Sequence, residues 1–336
     1  MGVRNNNLLF LEYQMARWAD VFSYARKNNI GVMIHGGDFF DNRNAISMPV
    51  IQAVSVEFSQ MLQKSGMEFH EIVGNHDVAY KNDNTLNSPN MLVEGAKVYW
   101  EKPQTVLFGG VAVDLIPWIN NANYDDTVKF IESSKSEICI GHFEISGAPF
   151  HKGGIACEGG MSASLFSKYK KVLSGHFHTR SKIGNVEYIG AAFDYTWADW
   201  NDPRGFVVLD LDTLEMEYVD WSTFMFVMGS MDEEGNVDFY PPCDNISGKF
   251  VRIACEHDSN KKIEKALSAL EAQEPAGFEV FFSVAKDVNS TTVDLESLAN
   301  ETAVITAVVE ESISDEELRN DVNAWLQMLH HEVSVR

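Results

Sequence analysis

Glu68-Phe-His-Glu-Ile-Val-Gly-Asn-His-Asp77 is the stretch that decides the fold of this 336-residue chain. Its first part predicts a strand, and Gly74 ends that strand immediately before Asn75, His76 and Asp77. The amide, imidazole and carboxylate groups of these three residues are all possible ligands of a divalent metal ion. The stretch therefore predicts an α/β fold with a metal site at the carboxyl end of a strand.

The same design recurs in three other segments, where a strand candidate ends at a glycine that precedes metal-ligating side chains. They are Gly37-Asp38-x-x-Asp41, Gly141-His142-Phe143-Glu144 and Gly175-His176-Phe177-His178. Because strand ends at one edge of an α/β sheet converge on one crevice, we expect these side chains to meet. A lone Gly-His pair is common by chance, but four such segments in this order make coincidence improbable.

The mixture of donor atoms favours Mn²⁺, Fe²⁺ or Zn²⁺ over a thiolate-rich structural zinc site. Two metal ions about 3.5–4 Å apart can clamp a phosphoryl group for in-line attack. Such a pair needs a bridging carboxylate, for which Asp38 is the natural candidate. The pattern therefore predicts a phosphoesterase of the two-metal type.

Apolar periodicity predicts helices between the strands, including one over 8–25 and one over 49–64 that Pro49 would start. A further helix is predicted over 261–271. The strand candidates are 31–35, 68–73, 111–116, 138–140, 171–173, 186–189 and 206–211. This alternation predicts an α/β (α+β) sandwich.

The net charge of −23 at first argues against a nucleic-acid partner. Its distribution weakens that objection, since residues 1–204 carry 18 Lys and Arg against 22 Asp and Glu, whereas residues 205–336 carry 8 against 27. The change in charge marks a domain boundary. We predict a catalytic domain over 1–220, a capping-type α/β domain over 221–310, and a C-terminal helix within 311–336.

The remaining composition is typical of a globular protein of a reducing compartment. Hydrophobic residues make up 45% of the chain, enough for a sizeable core, and no run is long enough to predict a membrane span. The four cysteines are scattered without a C-x-x-C pair, which favours buried thiols. We therefore expect a cytoplasmic protein.

The four segments resemble the motifs of the calcineurin-like metallophosphoesterases, GD-x-x-D, GNH-D/E, GH and GH-x-H. Further stretches of residues 1–220 resemble SbcD-type double-strand-break repair nucleases, including the recombination endonuclease subunit of T-even-like phages. These stretches are Val113-Asp-Leu-Ile-Pro-Trp118, Gly141-His-Phe-Glu144, Ser174-Gly-His-Phe-His-Thr179, Tyr188-Ile-Gly190 and Asn201-Asp-Pro-Arg-Gly-Phe206. The resemblance implies a four-layer αββα sandwich followed by a capping and partner-binding region.

The resemblance also implies a role for each matched residue. Asp38 would bridge two divalent ions, with Mn²⁺ the expected metal and Mg²⁺, Fe²⁺ or Zn²⁺ as alternatives. Asn75, His142 and His176 would complete the second metal site, and His178 would contribute to the first. His76 would act as the acid, oriented by Asp77, and Asp41 would support the loop.

The chain departs from the family pattern at its start, because the family begins with a strand that ends in D-x-H. Those two ligands of the first metal are absent, and Met1-Gly-Val-Arg-Asn looks like the stretch that follows them. Either the sequence is an incomplete reading of a longer gene, or it is a short form that is impaired in one metal site. The first account is favoured because every other ligand is present.

The resemblance implies a DNA endo/exonuclease subunit that acts on DNA ends with an SbcC-type coiled-coil ATPase and forms a homodimer. The stripe from Leu318 to Val333 is the candidate for ATPase docking, although the pattern alone favours packing of this stripe on its own domain. Arg180, Lys182 and Arg204 are candidates for phosphate contacts, although a solvated basic face and, for Arg204, a turn-fixing role stay open. The rival functions are a phosphatase or cyclic-nucleotide phosphodiesterase, and a catalytically impaired scaffold subunit.

Overall fold

The computed structural model describes residues 1–149, 156–255, 257 and 259–282. The chain divides into two compact units. The first comprises Met1–Tyr195 and Asp202–Trp221, and the second comprises Thr196–Asn201 and the chain from Ser222 onward. The predicted helix over Leu318 to Val333 lies outside the described residues. Within the described ranges, no helix combines the length and the apolar character needed to cross a membrane.

The first unit contains six helices and thirteen strands among its described residues. The helices are α1 (Val3–Asn6), α2 (Leu8–Lys27), α3 (Met48–Gln52), α4 (Ser59–Ser65), α5 (Ser88–Leu92) and α6 (Tyr124–Ser133), with a π-helical segment at Ala53–Phe58 and a 3₁₀ turn at Ala163–Phe166. The strands are β1 (Val32–His35), β2 (Glu68–Ile72), β3 (Val78–Tyr80), β4 (Asp83–Asn87), β5 (Ala96–Tyr99), β6 (Gln104–Phe108), β7 (Val111–Ile116), β8 (Ile138–His142), β9 (Lys171–Gly175), β10 (Ser181–Ile183), β11 (Val186–Tyr188), β12 (Gly205–Leu209) and β13 (Met216–Asp220). The predicted helices over 8–25 and 49–64 and the predicted strands are confirmed to within a few residues.

The first unit is built around two β-sheets. One is parallel throughout, in the order β1-β2-β5, and places His35 opposite Glu71. The other has the order β10-β11-β9-β8-β7-β6, in which the four central strands are parallel and the two outer strands antiparallel. Two hairpins, β3-β4 and β12-β13, complete the strands.

Alternating side chains on these strands build a sandwich of four layers. Between the sheets lies one apolar cluster, which includes Ile72, Tyr99, Val113, Leu115, Ile138 and Leu173. Helix α2 and the π-helical segment pack Trp18 and Phe58 against Phe69 on the outer face of the first sheet. On the outer face of the second sheet, a cluster joins Ile131 of α6 with Ile116 and Val172. The predicted α/β sandwich of order αββα is thereby confirmed.

The second unit contains strands β14 (Phe226–Met231), β15 (Val237–Tyr240), β16 (Phe250–Cys255) and β17 (Gly277–Phe282), and helix α7 (Lys261–Glu271). The sheet order is β15-β14-β16-β17, and Ile263 of α7 is buried in the apolar cluster of this sheet. The side chain of Asn260 caps α7 by accepting from the N–H groups of Lys262 and Ile263. The predicted helix over 261–271 is confirmed, whereas the capping role of 221–310 stays a prediction.

A short excursion of the chain, Thr196–Asn201, belongs to the second unit. The centroid of the Trp197 ring lies 4.9 Å from that of the Phe226 ring, and the Arg252 guanidinium lies over the Trp197 ring, 4.1 Å from its centroid. The sequence did not predict this excursion, because it depends on contacts between residues that are distant along the chain.

Candidate metal centre

The site lies at the carboxyl ends of four parallel strands, two from each sheet of the first unit. Asp38 follows β1, Asn75 follows the neighbouring strand β2, His142 ends β8, and His176 follows β9. The sandwich brings the two sheet edges together, so that side chains separated by up to 138 positions meet at one point. This placement agrees with the convergence expected from the sequence.

Three potential metal-ligating atoms surround a fourth, Nε2 of His142. This atom lies 2.9 Å from Asn75 Oδ1, 3.1 Å from His176 Nδ1 and 3.2 Å from Asp38 Oδ2. Nδ1 of His176 also lies 3.0 Å from Asn75 Oδ1. Metal–ligand bonds of about 2.1 Å at right angles would separate neighbouring donors by about 3 Å. The residues present therefore fit one divalent metal ion.

The tautomer of His142 strengthens this fit. Its Nδ1 lies 2.8 Å from the carbonyl oxygen of Gly36, which can only accept, so Nδ1 must carry a proton. A neutral His142 then presents the lone pair of Nε2 to two acceptor oxygens, those of Asn75 and Asp38. Lone pairs at these distances repel each other unless a cation lies among them, either a metal ion or the second ring proton that the Asp38 carboxylate favours by raising the pKa of His142. The arrangement is that of a cation site.

The pKa values reflect the same concentration of charge. Burial lowers the pKa of His142, but the adjacent Asp38 carboxylate outweighs burial and raises it above its usual value. Burial conversely raises the pKa of Asp38, and His142 outweighs it so that the pKa falls below its usual range. Burial together with the neighbouring His142 lowers the pKa of His176 to about 3. His176 is therefore a neutral imidazole at pH 7, the form that ligates metals.

The backbone at the site is held in conformations that ordinary residues avoid. Asp38 and His176 have φ angles of 59° and 87°, in the left-handed region. Close approach also requires glycine, since a Cβ on Gly74 would lie 2.2 Å from Asp38 Oδ1 and one on Gly37 would lie 2.3 Å from His142 Nδ1. The glycine that precedes each ligand is therefore a steric requirement.

His76 is held at the edge of the site by two contacts. Its main-chain N–H donates to Asp38 Oδ1 over 2.8 Å, and its Nδ1 lies 2.6 Å from the carbonyl oxygen of Asp41. Because that oxygen only accepts, Nδ1 is protonated and Nε2 is the nitrogen available to a substrate. Asp41 thus supports His76 through its main chain.

Asp77 has other partners than the imidazole of His76, so its predicted orientation of that ring stays a prediction. Both carboxylate oxygens of Asp77 accept main-chain N–H groups, those of Asp38 at 2.8 Å, Gly74 at 2.9 Å and Phe40 at 3.0 Å. This carboxylate is buried, and Nδ1 of His76 faces the carbonyl oxygen of Asp41 instead. Asp77 instead ties the loop after β2 to the loop after β1.

His178 lies apart from the four converging donors. Among the described residues, the cluster of metal-ligating histidine and acidic side chains comprises Asp38, His142 and His176, with ligand atoms within 4.8 Å of one another. The side chain of His178 is exposed, and its ring lies 5.3 Å from that of Tyr195. A contribution of His178 to the first metal stays a prediction.

The three basic candidates for phosphate contacts differ in their surroundings. Arg180 pairs with Asp220 at 2.5 Å and lies over the ring of Tyr218 at 4.2 Å, and Lys182 lies 2.9 Å from Glu187. Their substrate contacts stay predictions. So does a substrate contact by Arg204, although this side chain is 1% exposed and donates to the carbonyl oxygen of His178.

Sequence reasoning missed two residues beside the ligands. Glu144 Oε2 lies 3.9 Å from His176 Nε2, and the ring of Trp118 lies 5.5 Å from the ring of His176. Both stood inside motifs already noted, but their spacing alone did not indicate contact with a ligand. His35 on β1 is not among the converging donors: its Nδ1 lies 3.0 Å from Glu71 Oε1, and burial lowers its pKa to about 4.

Comparison with known proteins decides the family. The family model described as calcineurin-like phosphoesterase matches residues 12–180, which include all four motif segments. The chain belongs to the calcineurin-like phosphoesterases. Exonuclease subunit 1 of Enterobacteria phage T4 is 34% identical to this phosphoesterase over 276 residues, 80% of each protein. As a member of this family, the chain is a hydrolase of phosphodiester bonds, and the family uses divalent metal ions.

One solved structure, titled as a novel archaeal phosphodiesterase, also matches this calcineurin-like phosphoesterase. It covers 62% of the present chain and 93% of its own, with 9% identity and a TM-score of 0.33. At that TM-score the likeness adds nothing to the family assignment.

Proposed function

We propose that this calcineurin-like phosphoesterase is a DNA nuclease subunit that cleaves phosphodiester bonds, as an endonuclease and exonuclease, in recombination and double-strand-break repair. The convergence of Asp38, Asn75, His142 and His176 on one point carries the proposal, because this donor set fits a divalent metal ion. DNA as the substrate is supported by the similarity to an exonuclease subunit of phage T4.

Mn²⁺ is the proposed metal, since imidazole, carboxylate and amide oxygen donors suit it. Asp38, Asn75, His142 and His176 would hold one ion, and Asp38 with His178 would contribute to a second. A bound ion supplies Lewis-acid charge to a phosphoryl group placed against it. The protein fixes the donors beforehand, through the left-handed backbone of Asp38 and His176 and through the bond from His142 to Gly36.

His76 is the proposed acid, giving a proton from Nε2 to the leaving oxygen of the cleaved diester. The bond from Nδ1 to the Asp41 carbonyl fixes the ring, so that Nε2 keeps one direction. Asp77 contributes indirectly, because its three main-chain contacts hold the two loops that carry Asp38 and His76.

The partners proposed from the family resemblance are DNA ends, an SbcC-type ATPase and a second copy of the chain. The phage relative is named as a subunit, which supports a partner protein. For a phage-encoded nuclease, the place of action would be the host cytoplasm.

Cleavage of end-labelled linear duplex DNA with and without Mn²⁺ tests the proposal, using Asp38→Asn as the blank. Asp20→Asn is a matched control, because Asp20 is an exposed carboxylate that pairs with Arg17. Mn²⁺-dependent cleavage by the wild type and the control, but not by Asp38→Asn, is expected. Hydrolysis of a small chromogenic phosphodiester without any cleavage of DNA would contradict the nuclease proposal and indicate another kind of phosphodiesterase. Binding to the ATPase without hydrolysis of either substrate would indicate a catalytically impaired scaffold subunit.

A further inference from the structure

A buried ion pair lies behind the loop that carries His176 and His178. Arg204 and Asp202 belong to the stretch Asn201-Asp-Pro-Arg-Gly, and their relative exposures are 1% and 7%. Arg204 Nη1 lies 3.2 Å from Asp202 Oδ2. Arginine is rarely buried so completely unless it is paired, so its position requires a reason beyond packing.

The pair is bonded directly to the metal-site loop at two successive residues. Arg204 Nη1 donates to the carbonyl oxygen of His178, and Thr179 Oγ1 donates to Asp202 Oδ2 over 3.0 Å. The His178 carbonyl also accepts from the N–H of Ala191 over 2.9 Å. The loop is therefore held at His178 and Thr179 by three hydrogen bonds.

Holding this loop matters because its conformation is unfavourable by itself. His176 has a φ of 87°, and a non-glycine residue in such a conformation costs about 1–3 kcal/mol. Surrounding contacts must therefore fix it. A buried ion pair is a weak device for stability alone, but charge-assisted bonds in a fixed fork give precise orientation.

We propose that Arg204 and Asp202 are positioning residues for the metal centre: they hold residues 176–179 so that the imidazoles of His176 and His178 face the metal. This inference rests on the proposed function. It gives the stretch Asp-Pro-Arg-Gly a role in metal affinity, and Arg204 acts without touching the metal or the substrate.

The test compares Arg204→Lys and Thr179→Val with the wild type. Lysine keeps the charge but replaces the planar guanidinium, whose Nη1 lies between Asp202 and the His178 carbonyl, with a flexible ammonium. Valine removes only the hydroxyl that fixes Asp202, and it is the milder variant should Arg204→Lys fail to fold. Arg252→Lys is the matched control, because Arg252 is also buried (7% exposed) and bonds to Glu279 at 2.7 Å, in the second unit.

Free Mn²⁺ is measured by electron paramagnetic resonance to give the dissociation constant, and thermal unfolding is recorded without metal. We expect Arg204→Lys to weaken Mn²⁺ binding about 10–100-fold and Thr179→Val to weaken it less, with Arg252→Lys unchanged. Excess Mn²⁺ should restore DNA cleavage by Arg204→Lys, which a purely structural defect would not allow.

Two results would overturn the inference, and they differ from each other. Wild-type Mn²⁺ affinity in both folded variants would remove the positioning role and leave the nuclease proposal standing. A wild-type protein that neither binds Mn²⁺ nor cleaves DNA would end both proposals together.

Discussion

The imidazole of His76 is bonded through Nδ1 to the main-chain carbonyl oxygen of Asp41, at 2.6 Å, and not to the carboxylate of Asp77. A carbonyl oxygen cannot take a proton, so this contact fixes the ring and its tautomer without changing its charge. The ring of His76 is not one of the donors that converge on His142, although its main-chain N–H donates to Asp38 Oδ1. Acid chemistry and metal binding can accordingly be tested independently.

The first prediction concerns His76→Gln. We expect kcat for DNA cleavage to fall about 10²–10⁴-fold while Mn²⁺ affinity changes little, because the ring does not belong to the converging donor set. Initial rates at saturating Mn²⁺ and DNA give kcat, and metal titration gives the affinity. His257→Gln, at an exposed histidine of the second unit, is the control. An equal loss of metal affinity would assign His76 to the metal instead.

The second prediction concerns Asp77→Asn. The amide nitrogen of asparagine would face main-chain N–H groups that now donate to a carboxylate, leaving at least one buried donor without an acceptor. We expect the free energy of unfolding to fall by about 2 kcal/mol or more. Urea unfolding measures this change, with Asp20→Asn as the exposed control, whose cost should stay below about 1 kcal/mol. Equal stabilities of the two variants would contradict the assigned role.

The third prediction concerns Gly74→Ala. The added Cβ would lie 2.2 Å from Asp38 Oδ1, so the carboxylate must leave its present position. Mn²⁺ binding and DNA cleavage should both be lost. Gly31→Ala is the matched control, since a Cβ at Gly31 meets no atom within 4 Å. Isothermal titration with Mn²⁺ compares the two proteins, and wild-type affinity in Gly74→Ala would show that Asp38 does not hold the metal.

The sequence predicted the part of this structure that local patterns determine. The stripe of apolar residues over 8–25 corresponds to α2, Leu8–Lys27, and each glycine that ends a strand precedes a side chain of the site. These features follow from periodicity and steric demand within a few residues.

The features that the sequence did not predict depend on contacts between distant residues. Arg204 was weighed between fixing a turn and contacting a phosphate, and only the packed fold shows its bond to the His178 carbonyl. Asp77 was assigned to its neighbour His76, whereas its partners Asp38 and Phe40 lie on another loop. Segment Thr196–Asn201 joins the second unit through Trp197, which no periodic pattern indicated.

The fourth prediction concerns Asp114, a buried carboxylate on β7 that is not one of the converging donors. It accepts hydrogen bonds from three hydroxyl groups, that of Ser136 at 2.6 Å and those of Thr105 and Tyr169 at 2.7 Å. Asp114→Ala would leave these hydroxyls without their acceptor, and we expect a loss of about 3 kcal/mol in the free energy of unfolding. Urea unfolding of Asp114→Ala beside Asp125→Ala, at an exposed carboxylate of α6, measures it. The folded fraction should keep its Mn²⁺ affinity, and a lower affinity would contradict a structural role.

The fifth prediction concerns Glu144, whose Oε2 lies 3.9 Å from Nε2 of His176 while Nδ1 of the same ring faces Asn75 and His142. At 3.9 Å this contact is electrostatic and not a hydrogen bond, and a negative charge beside the far nitrogen raises the basicity of the ligating nitrogen of a histidine. We expect Glu144→Gln to weaken Mn²⁺ binding about tenfold, because the neutral amide attracts the Nε2–H less strongly. Glu132→Gln, at an exposed residue of α6, controls for the loss of one negative charge. If both variants bind Mn²⁺ equally, Glu144 acts only through net charge. If Glu144→Gln alone binds Mn²⁺ more weakly and extra Mn²⁺ restores cleavage, the Glu144 carboxylate sets the affinity of His176 for the metal.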